Sequence, residues 1–334
     1  MQVRLAITIK PKGLNSMLNT IVRKVLLTIP LLLLVSILMF TVINMLPGNA
    51  ATIILGDNGG SVEQLQQVEE KLGLNQSLPK QYLNWLNNFL HGNLGTSYLT
   101  SQPVIKRIQE RLPVTLELIL LSILLAVIIG IPVGIICAVK RNKAVDYILS
   151  TLSMIGVAMP QFWLGILFVL LFSVKLKWLP ASGFTYFSVD AAKNLKTMLM
   201  PAVTLALSLS APIARQTRSA MLDTLSQDYI MTAKAKGQSE VKIYLVHALR
   251  NALVPVITAI TSQINSMVGG VFVIETLFLL PGMGKSMVDA IFQRDYPIVM
   301  GIAMVVVTCI IIINLITDIV YVFIDPRISL AKKK

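Results

Sequence analysis

Long apolar stretches, separated by short polar ones, limit the fold of this chain more than any other feature of its sequence. Hydrophobic residues make up 55% of the 334 residues and charged residues only 13%, a balance unlike that of an ordinary soluble domain. A helix of about 20 apolar residues can cross the hydrocarbon core of a bilayer. Such stretches lie at about residues 25–46, 116–139, 149–174, 198–214, 253–280 and 298–323. We therefore expect an all-α integral membrane protein with six transmembrane helices.

The basic residues orient these spans. Of the 29 Lys and Arg residues, 18 fall in the termini and loops on one side of the six-span arrangement, and 11 fall in the three longer loops on the other side. By the positive-inside rule, the side with more basic residues is the cytoplasm. The net charge of +13 therefore reports orientation in a lipid bilayer, and we expect no nucleic-acid partner.

This orientation divides the chain into segments. Residues 1–24 and 324–334 are predicted to be cytoplasmic, 25–46 to be the first transmembrane helix and 47–112 to be an extracytoplasmic loop with a small helical unit. Residues 113–323 are predicted to form a five-helix transmembrane domain. A cleavable signal peptide is the alternative for the first span, because Gly48-Asn49-Ala50 weakly resembles a cleavage site. The apolar stretch is longer than a signal peptide needs, which favours a retained anchor.

Prolines and glycines predict local features. Pro160 lies inside the third span and predicts a kink there. The fourth span, 198–214, is short and carries Pro201 and Pro212. In the external loop, an amphipathic helix is predicted to end at Gly92 and Gly95, because apolar residues recur at helical spacing before them. These residues are Tyr82, Leu83, Leu86, Phe89 and Leu90.

One basic stretch, residues 214–255, interrupts the apolar second half of the chain. Two short helices fit inside it. The first is predicted to be capped by Ser226 and to end near Gly237, and the second to start after Ser239. Four residues of the first helix share one face: Tyr229, Ile230, Ala233 and Gly237. This pattern fits two structures, a helix lying on lipid headgroups or a helix that contacts another protein through small residues.

Several motifs resemble those of permeases from ABC importers, in the branch that carries dipeptides, oligopeptides and nickel. The segment TAKAKGQSEVKIYLVHALRNALVPVIT is similar to the cytoplasmic coupling loop of these permeases. Met231 and Arg250 depart from the general pattern, in which Glu and Pro stand at these positions. ETLFLLPGMG, RDYP at 294–297 and the terminal Asp-Pro-Arg at 325–327 are also typical of this branch.

The resemblance implies a type I ABC importer permease fold and a subunit that transports without being an enzyme. Its implied partners are a second homologous permease, two cytoplasmic ABC ATPases and an extracytoplasmic solute-binding protein. The ATPases would bind ATP and Mg, so no cofactor is expected in this chain. The implied cargo is a di- or oligopeptide, nickel or a metal chelate, and the implied location is the bacterial inner membrane, with both termini cytoplasmic. Residues 215–252 are the implied coupling loop, with ATPase-coupling residues Tyr229, Ile230, Ala233, Lys234, Ala235, Lys236 and Gly237.

Polar residues inside the spans are the remaining signal, because each is costly in lipid. In the fifth span a polar stripe recurs at helical spacing: Thr258, Thr261, Ser262, Asn265 and Gly269. It either packs against another helix or lines a polar passage, so its first four residues are candidates for a translocation pathway. Asn314 and Asp318 lie one turn apart in the sixth span, and we expect Asp318 to pair with a base such as Arg250.

Catalytic and metal-binding motifs are missing from the sequence. PGMGKS at 281–286 lacks the first glycine of a phosphate-binding loop, since Leu279 stands there. His91 and His247 fall on opposite sides of the membrane, and Cys137 and Cys309 lie in apolar spans. We therefore expect no catalytic residue and no metal site. An ion-coupled secondary transporter or channel, acting without ATPases, is the alternative function, and a sensor or assembly protein would need a further soluble domain.

Overall fold

The computed structural model describes residues 14–45, 50–55 and 61–324. Within these ranges the regular elements are helices, and the only β-type pairing is an isolated bridge between Thr96 and Pro103. The helices are α1 Leu14–Met45, α2 Ala50–Leu55, α3 Val62–Leu72, α4 Leu78–Leu90, α5 Val104–Val139, α6 Ala144–Ala158, α7 Gln161–Phe168, α8 Ala191–Leu225, α9 Asp228–Ala235, α10 Glu240–Lys242, α11 Leu249–Leu277, α12 Met283–Phe292 and α13 Tyr296–Ile324. Two π-helical turns, Val169–Lys175 and Ile243–Ala248, follow α7 and α10 directly.

The helices agree with the predicted spans. Five helices in the described residues are long and apolar enough to cross a membrane, and there are six if the bent pair formed by α6 and α7 counts as one span. The protein is therefore a multi-pass membrane protein. The possible cleavage site at Gly48 and the Asp-Pro-Arg at 325–327 lie outside the described residues, as does the side chain of Asp318, so its predicted pairing with Arg250 stays a prediction.

The chain forms two compact units. One contains α1 and the part of α13 from Met304 onward. The other, Leu46–Ala303, contains the remaining helices and every candidate site residue discussed below.

Small residues bring α5 and α8 into close contact inside the second unit. Gly130 and Gly134 lie one turn apart on α5, and a side chain at either position would collide with the backbone of α8 at Ser210 or Ala214. Such small-xxx-small spacing lets two helix backbones approach in a membrane. The core of the unit forms around this contact from α5, α8 and α11, and its buried residues include Leu118, Ala126, Met198, Leu205, Leu209, Ile213, Val256, Met267, Ile274 and Phe278.

The third span is broken at Pro160, as its sequence predicts. Met159, the residue before the proline, has an extended backbone (φ −79°, ψ 130°), which is what the proline ring imposes on its neighbour. Helix α6 ends there and α7 starts at Gln161, with an angle of 103° between the two helices. The expected kink is thus a complete break.

The predicted fourth span was too short. Helix α8 has 35 residues and keeps both Pro201 and Pro212 in its interior. Prolines are tolerated in membrane helices when neighbouring groups satisfy the freed carbonyls, and Pro201 is buried in the core. The helix continues to Leu225, so the first eleven residues of the predicted coupling loop are helical, and Ser226 caps the C-terminus of α8 rather than starting the next helix.

The amphipathic helix predicted in the external loop is confirmed as α4. It carries an aromatic row in which the rings of Trp85 and Phe89 stack with centroids 5.4 Å apart. The apolar face is divided, however, because Leu83 and Leu90 are exposed while Leu86 is partly buried. The chain turns after the helix at Gly92, whose φ is +79°.

Candidate functional site

The predicted coupling loop, residues 215–252, contains a short helix closed by a glycine turn. Helix α9 starts at Asp228, whose carboxylate lies in the first turn, where the helix dipole favours an anion. It ends at Ala235, and Gly237 follows with φ +69°, a left-handed conformation that glycine adopts without strain. The N–H of Gly237 donates to the Lys234 carbonyl (2.9 Å) and that of Gln238 to the Ala233 carbonyl (3.3 Å). The predicted turn at Gly237 is therefore present.

The face of α9 that packs inside the chain differs from the expected one. Ile230 is fully buried and Ala233 is 8% exposed. Both pack in a small cluster with residues of α8 and of the helix that starts at Glu240, including Met221, Ile243, Ala248 and Ala252. In this conformation they pack within the chain, and a contact between these two residues and a partner protein stays a prediction.

The opposite side of α9 is the exposed one. Tyr229 is 43% exposed and Met231 62% exposed, and the remaining predicted coupling residues, Lys234, Ala235, Lys236 and Gly237, are also exposed. An added Cβ at Gly237 would meet no atom of the chain within 4 Å. This surface is apolar, small and basic, and it is open to a partner.

Two side-chain contacts tie α9 and its turn to the base of α11. The Asn251 side chain donates to the Tyr229 hydroxyl (2.8 Å), and the Nε2 of His247 lies 2.6 Å from the Oε1 of Gln238. The sequence indicated no partner for these residues, because the pairs are 22 and 9 residues apart and match no local pattern. They connect α9 and the turn after it to the start of α11.

The polar stripe of α11 is partly open to the outside of the chain. Thr258 and Ser262 are exposed, whereas Thr261 and Asn265 are partly buried. The hydroxyls of Thr258 and Thr261 donate to carbonyls one turn earlier in their own helix, at 3.2 Å and 3.0 Å. Among the described residues, nothing buries Thr258 and Ser262, so packing within this part of the chain does not account for them.

The PGMGKS segment binds a side-chain carboxyl group from the same chain, that of Glu275. Glu275, at the end of α11, is fully buried, and its Oε2 accepts the N–H of Lys285 (3.0 Å) in the first turn of α12. The Thr115 hydroxyl of α5 donates to Oε1 (2.5 Å) and accepts the N–H of Met283 (2.8 Å). A carboxylate at a helix N-terminus is favourable for the same reasons as a phosphate.

The two glycines of this segment make room for the contact. A Cβ at Gly282 would overlap the carboxylate of Glu275, and a Cβ at Gly284 would overlap Phe272. The glycines that make PGMGKS look like a phosphate-binding loop therefore serve to seat Glu275 under α12. Glu275 lies next to the motif in ETLFLLPGMG and was not predicted to be part of it.

A second buried carboxylate joins the RDYP motif to the segment after α4. Asp295 is 1% exposed; its Oδ2 accepts the Ser97 hydroxyl (2.5 Å) and its Oδ1 accepts the N–H of Tyr98 (3.1 Å). Burial, with Asp295 adding to it, raises the pKa of Tyr98 to about 12. The Oδ1 of Asn93 accepts the N–H of Gly95 (3.0 Å) and shapes the same turn. Two motifs that are 198 residues apart thus form one hydrogen-bonded network.

Two family models match this chain, and together they cover most of its length. The family described as "Binding-protein-dependent transport system inner membrane component" matches residues 130–330. The N-terminal component of the same kind of system, "Binding-prot-dependent transport system membrane comp, N-term", matches residues 17–119.

Relatives match over nearly the whole length. A putative peptide transport system permease protein of Brucella suis biovar 1 (strain 1330) is 42% identical over 308 residues, covering 92% of this chain and 98% of the relative. The oligopeptide transport system permease protein AppB of Bacillus subtilis (strain 168) is 40% identical over 312 residues, with the same coverage.

The fold also matches a solved transporter. A chain of the inward-facing MetNI methionine ABC transporter superposes with a TM-score of 0.57 and 18% identity, covering 68% of this chain and 100% of the other. At this identity the likeness concerns the fold, and it confirms the predicted type I ABC importer permease fold. The family is a transport component of systems that also contain ATPase and binding-protein components, and not an enzyme. The chain belongs to the family of inner membrane components of binding-protein-dependent transport systems.

Proposed function

We propose that this chain is a translocating subunit of an ATP-driven importer of di- and oligopeptides. The observation that carries the cargo class is the 42% identity, over 92% of the chain, to a relative named for peptide transport. Helix α9 supports ATP as the energy source, because it presents an exposed apolar and basic surface, between two membrane helices, to which an ATPase can bind.

The mechanism uses α9 as the contact with an ATPase. Met231, Lys234 and Lys236 are exposed on α9 and its turn, and Gly237 lets a partner approach the backbone closely. Two cytoplasmic ATPases, which hold ATP and Mg, close on ATP binding and push on this surface. Because α9 is tied to the base of α11 through Asn251 and Tyr229 (2.8 Å), its displacement moves that helix. The result is an exchange between inward-open and outward-open states.

The polar stripe of α11 supplies one wall of the passage. A peptide carries amide groups that are costly to move through lipid without hydrogen-bonding partners. Thr258 and Ser262 offer hydroxyls on an exposed helix face, with Thr261 and Asn265 beside them. A second homologous permease covers this face from the other side, and an extracytoplasmic binding protein delivers the peptide. The protein lies in the inner membrane of a bacterial cell. Both termini of the chain lie in the cytoplasm.

Uptake by the reconstituted complex tests this function. The chain is assembled with the partner permease, the ATPases and the binding protein in proteoliposomes, and entry of labelled di-, tri- and pentapeptides is measured with and without ATP inside. We expect ATP-dependent peptide entry that requires the binding protein and stops with a hydrolysis-deficient ATPase.

The same assay decides between cargo classes and energy sources. Nickel ions and a nickel chelate are run beside the peptides; entry of nickel without any peptide entry would contradict the peptide assignment. Peptide entry driven by a proton or sodium gradient without ATPases would support the secondary-transporter alternative and contradict the importer.

A further inference from the structure

A bidentate ion pair joins α6 to α8 near the basic turn between α5 and α6. The Nε of Arg218 on α8 donates to the Oδ1 of Asp146 (2.8 Å), and its Nη2 donates to the Oδ2 (2.7 Å). The same carboxylate accepts the backbone N–H of Asn142 in the turn (3.0 Å) and the hydroxyl of Ser150 (3.4 Å). Asp146 therefore binds a turn, its own helix and a second helix at once.

Helix α6 packs on α5 and α8 with few buried side chains. Asp146 is its single buried residue, at 3% exposed, whereas Tyr147, Leu152 and Met154 are each about 60% exposed (63%, 58% and 62%). The face that lies toward α8 carries small residues such as Ser153 and Gly156, and Gly156 is near the backbone carbonyl of Leu207. Small residues of this kind let two helices approach closely, and the ion pair holds α6 in register with α8 at this approach.

The pair lies between the coupling loop and the broken span. Arg218 lies about two turns before the end of α8, and α9 starts three residues after α8 ends, at Asp228. From Asp146, α6 extends about 18 Å, at 1.5 Å per residue, to the 103° break at Met159 and Pro160. A fork of two parallel hydrogen bonds resists both sliding and rotation. A movement of the end of α8 is therefore passed to α6 through this fork.

We propose that the Asp146–Arg218 pair is the link that transmits movement of the coupling loop to the broken span, so that α6 and the end of α8 move as one rigid unit. The inference rests on the proposed function, since it assigns a positioning role to two residues of the same transport cycle. Neither residue is among the proposed ATPase-coupling or pathway residues.

The first test is functional and uses the complete reconstituted complex. Asp146→Asn and Arg218→Gln each remove one charge, and Asp146→Arg with Arg218→Asp restores the pair in the opposite order. Arg141→Gln is the matched control, because Arg141 is exposed. This substitution removes the same cationic charge from the same end of the protein without changing the pair. ATPase activity is measured with and without loaded binding protein, beside the amount of complex in the membrane.

We expect the single variants to lose binding-protein stimulation by about tenfold, a typical size for coupling between two sites, while basal hydrolysis and complex level stay close to wild type. The reversed pair is expected to recover much of the stimulation, and the Arg141 variant to keep it. Full stimulation in the single variants would overturn the proposal, and so would no recovery in the reversed pair at a normal complex level.

A distance measurement keeps the proposal testable if the single variants fail to assemble. Spin labels at Val145 on α6 and Ser219 on α8, both exposed, report the separation of the two helices in the otherwise wild-type chain. The proposal requires the same distance distribution in the nucleotide-free state and in the state trapped with ADP and vanadate; a shift between the two states would overturn it. Absence of stimulation in the wild-type complex would contradict the proposed function instead, and the distance measurement would still decide on the link.

Discussion

Two buried carboxyl groups organise the segments on either side of α12 in this permease. Glu275 satisfies a backbone N–H at the start of α12 and the Thr115 hydroxyl of α5, and Asp295 joins the RDYP motif to Ser97. A buried carboxylate is stable only when its oxygens find donors, and in both cases the donors come from distant segments. The family motifs in this region therefore encode contacts within the chain.

Removing the charge of Glu275 is expected to destabilise the protein. In Glu275→Gln the side-chain amide keeps the shape of the carboxylate but cannot accept both donors, so at least one buried group loses its hydrogen bond. The expected cost is about 1–3 kcal/mol, measured as a lower midpoint of thermal unfolding in nanodiscs. Glu110→Gln is the matched control, since Glu110 is an exposed carboxylate in the same region. Equal midpoints for the two variants would contradict the capping role.

Substitutions at Gly237 can separate the effect of backbone strain from the effect of blocking a partner protein. Its φ of +69° strains any L side chain, yet an added Cβ meets nothing in the chain. Gly237→Ala and Gly237→Trp therefore carry a similar backbone strain, of about 1–2 kcal/mol, and differ in the room they take from a partner. We expect the Trp variant to assemble and to lose binding-protein stimulation of ATPase activity by about tenfold relative to the Ala variant. Gly237→Asn, which tolerates this conformation, should resemble wild type. Equal stimulation in the Trp and Ala variants would show that no partner approaches this surface.

At the scale of elements, the polar stripe of α11 gives a prediction about cargo passage. Ser262→Leu places a large apolar side chain on the exposed face of the stripe, where it should narrow the passage and remove a hydroxyl. We expect peptide entry to fall strongly while ATPase stimulation by the binding protein is retained. Val273→Leu is the control, because Val273 is an exposed apolar residue on the same helix (46% exposed). Loss of assembly in the Ser262 variant would instead favour packing against a partner helix.

The sequence predicted elements well where a local cause exists. The break at Pro160 and the turn at Gly237 follow from backbone geometry, and each spanning helix follows from its apolar length. Prediction failed where the cause is tertiary. Pro201 and Pro212 suggested a short fourth span, but a packed membrane helix tolerates both. The spacing of Ile230 and Ala233 defined a face of α9 without showing which side of it the chain covers.

The sequence alone did not predict contacts between residues that lie far apart in the chain. Asp146 meets Arg218 across 72 residues, and Asp295 meets Ser97 across 198 residues. Neither pair has a sequence spacing that distinguishes its residues from polar residues exposed to solvent. The resemblance to a permease family supplied the fold and the coupling loop, and only the packed structure supplied these partners.

At the scale of the whole molecule, the orientation of the chain in the membrane can be tested with two matched positions. Ser77 precedes α4 and Ser239 precedes α10; each is the N-cap of its helix, is exposed, and makes no side-chain capping hydrogen bond. A change to Cys at either position should therefore disturb the fold equally little. The six-span topology places Ser77 outside the cell membrane and Ser239 in the cytoplasm. In a background with Cys137 and Cys309 replaced, an impermeant maleimide added to intact cells or spheroplasts should label Ser77→Cys and spare Ser239→Cys. Permeabilisation should then make the two labelling rates similar, because the two positions are equally exposed. Labelling of Ser239→Cys before permeabilisation would reverse the orientation and remove α9 from the reach of any cytoplasmic ATPase.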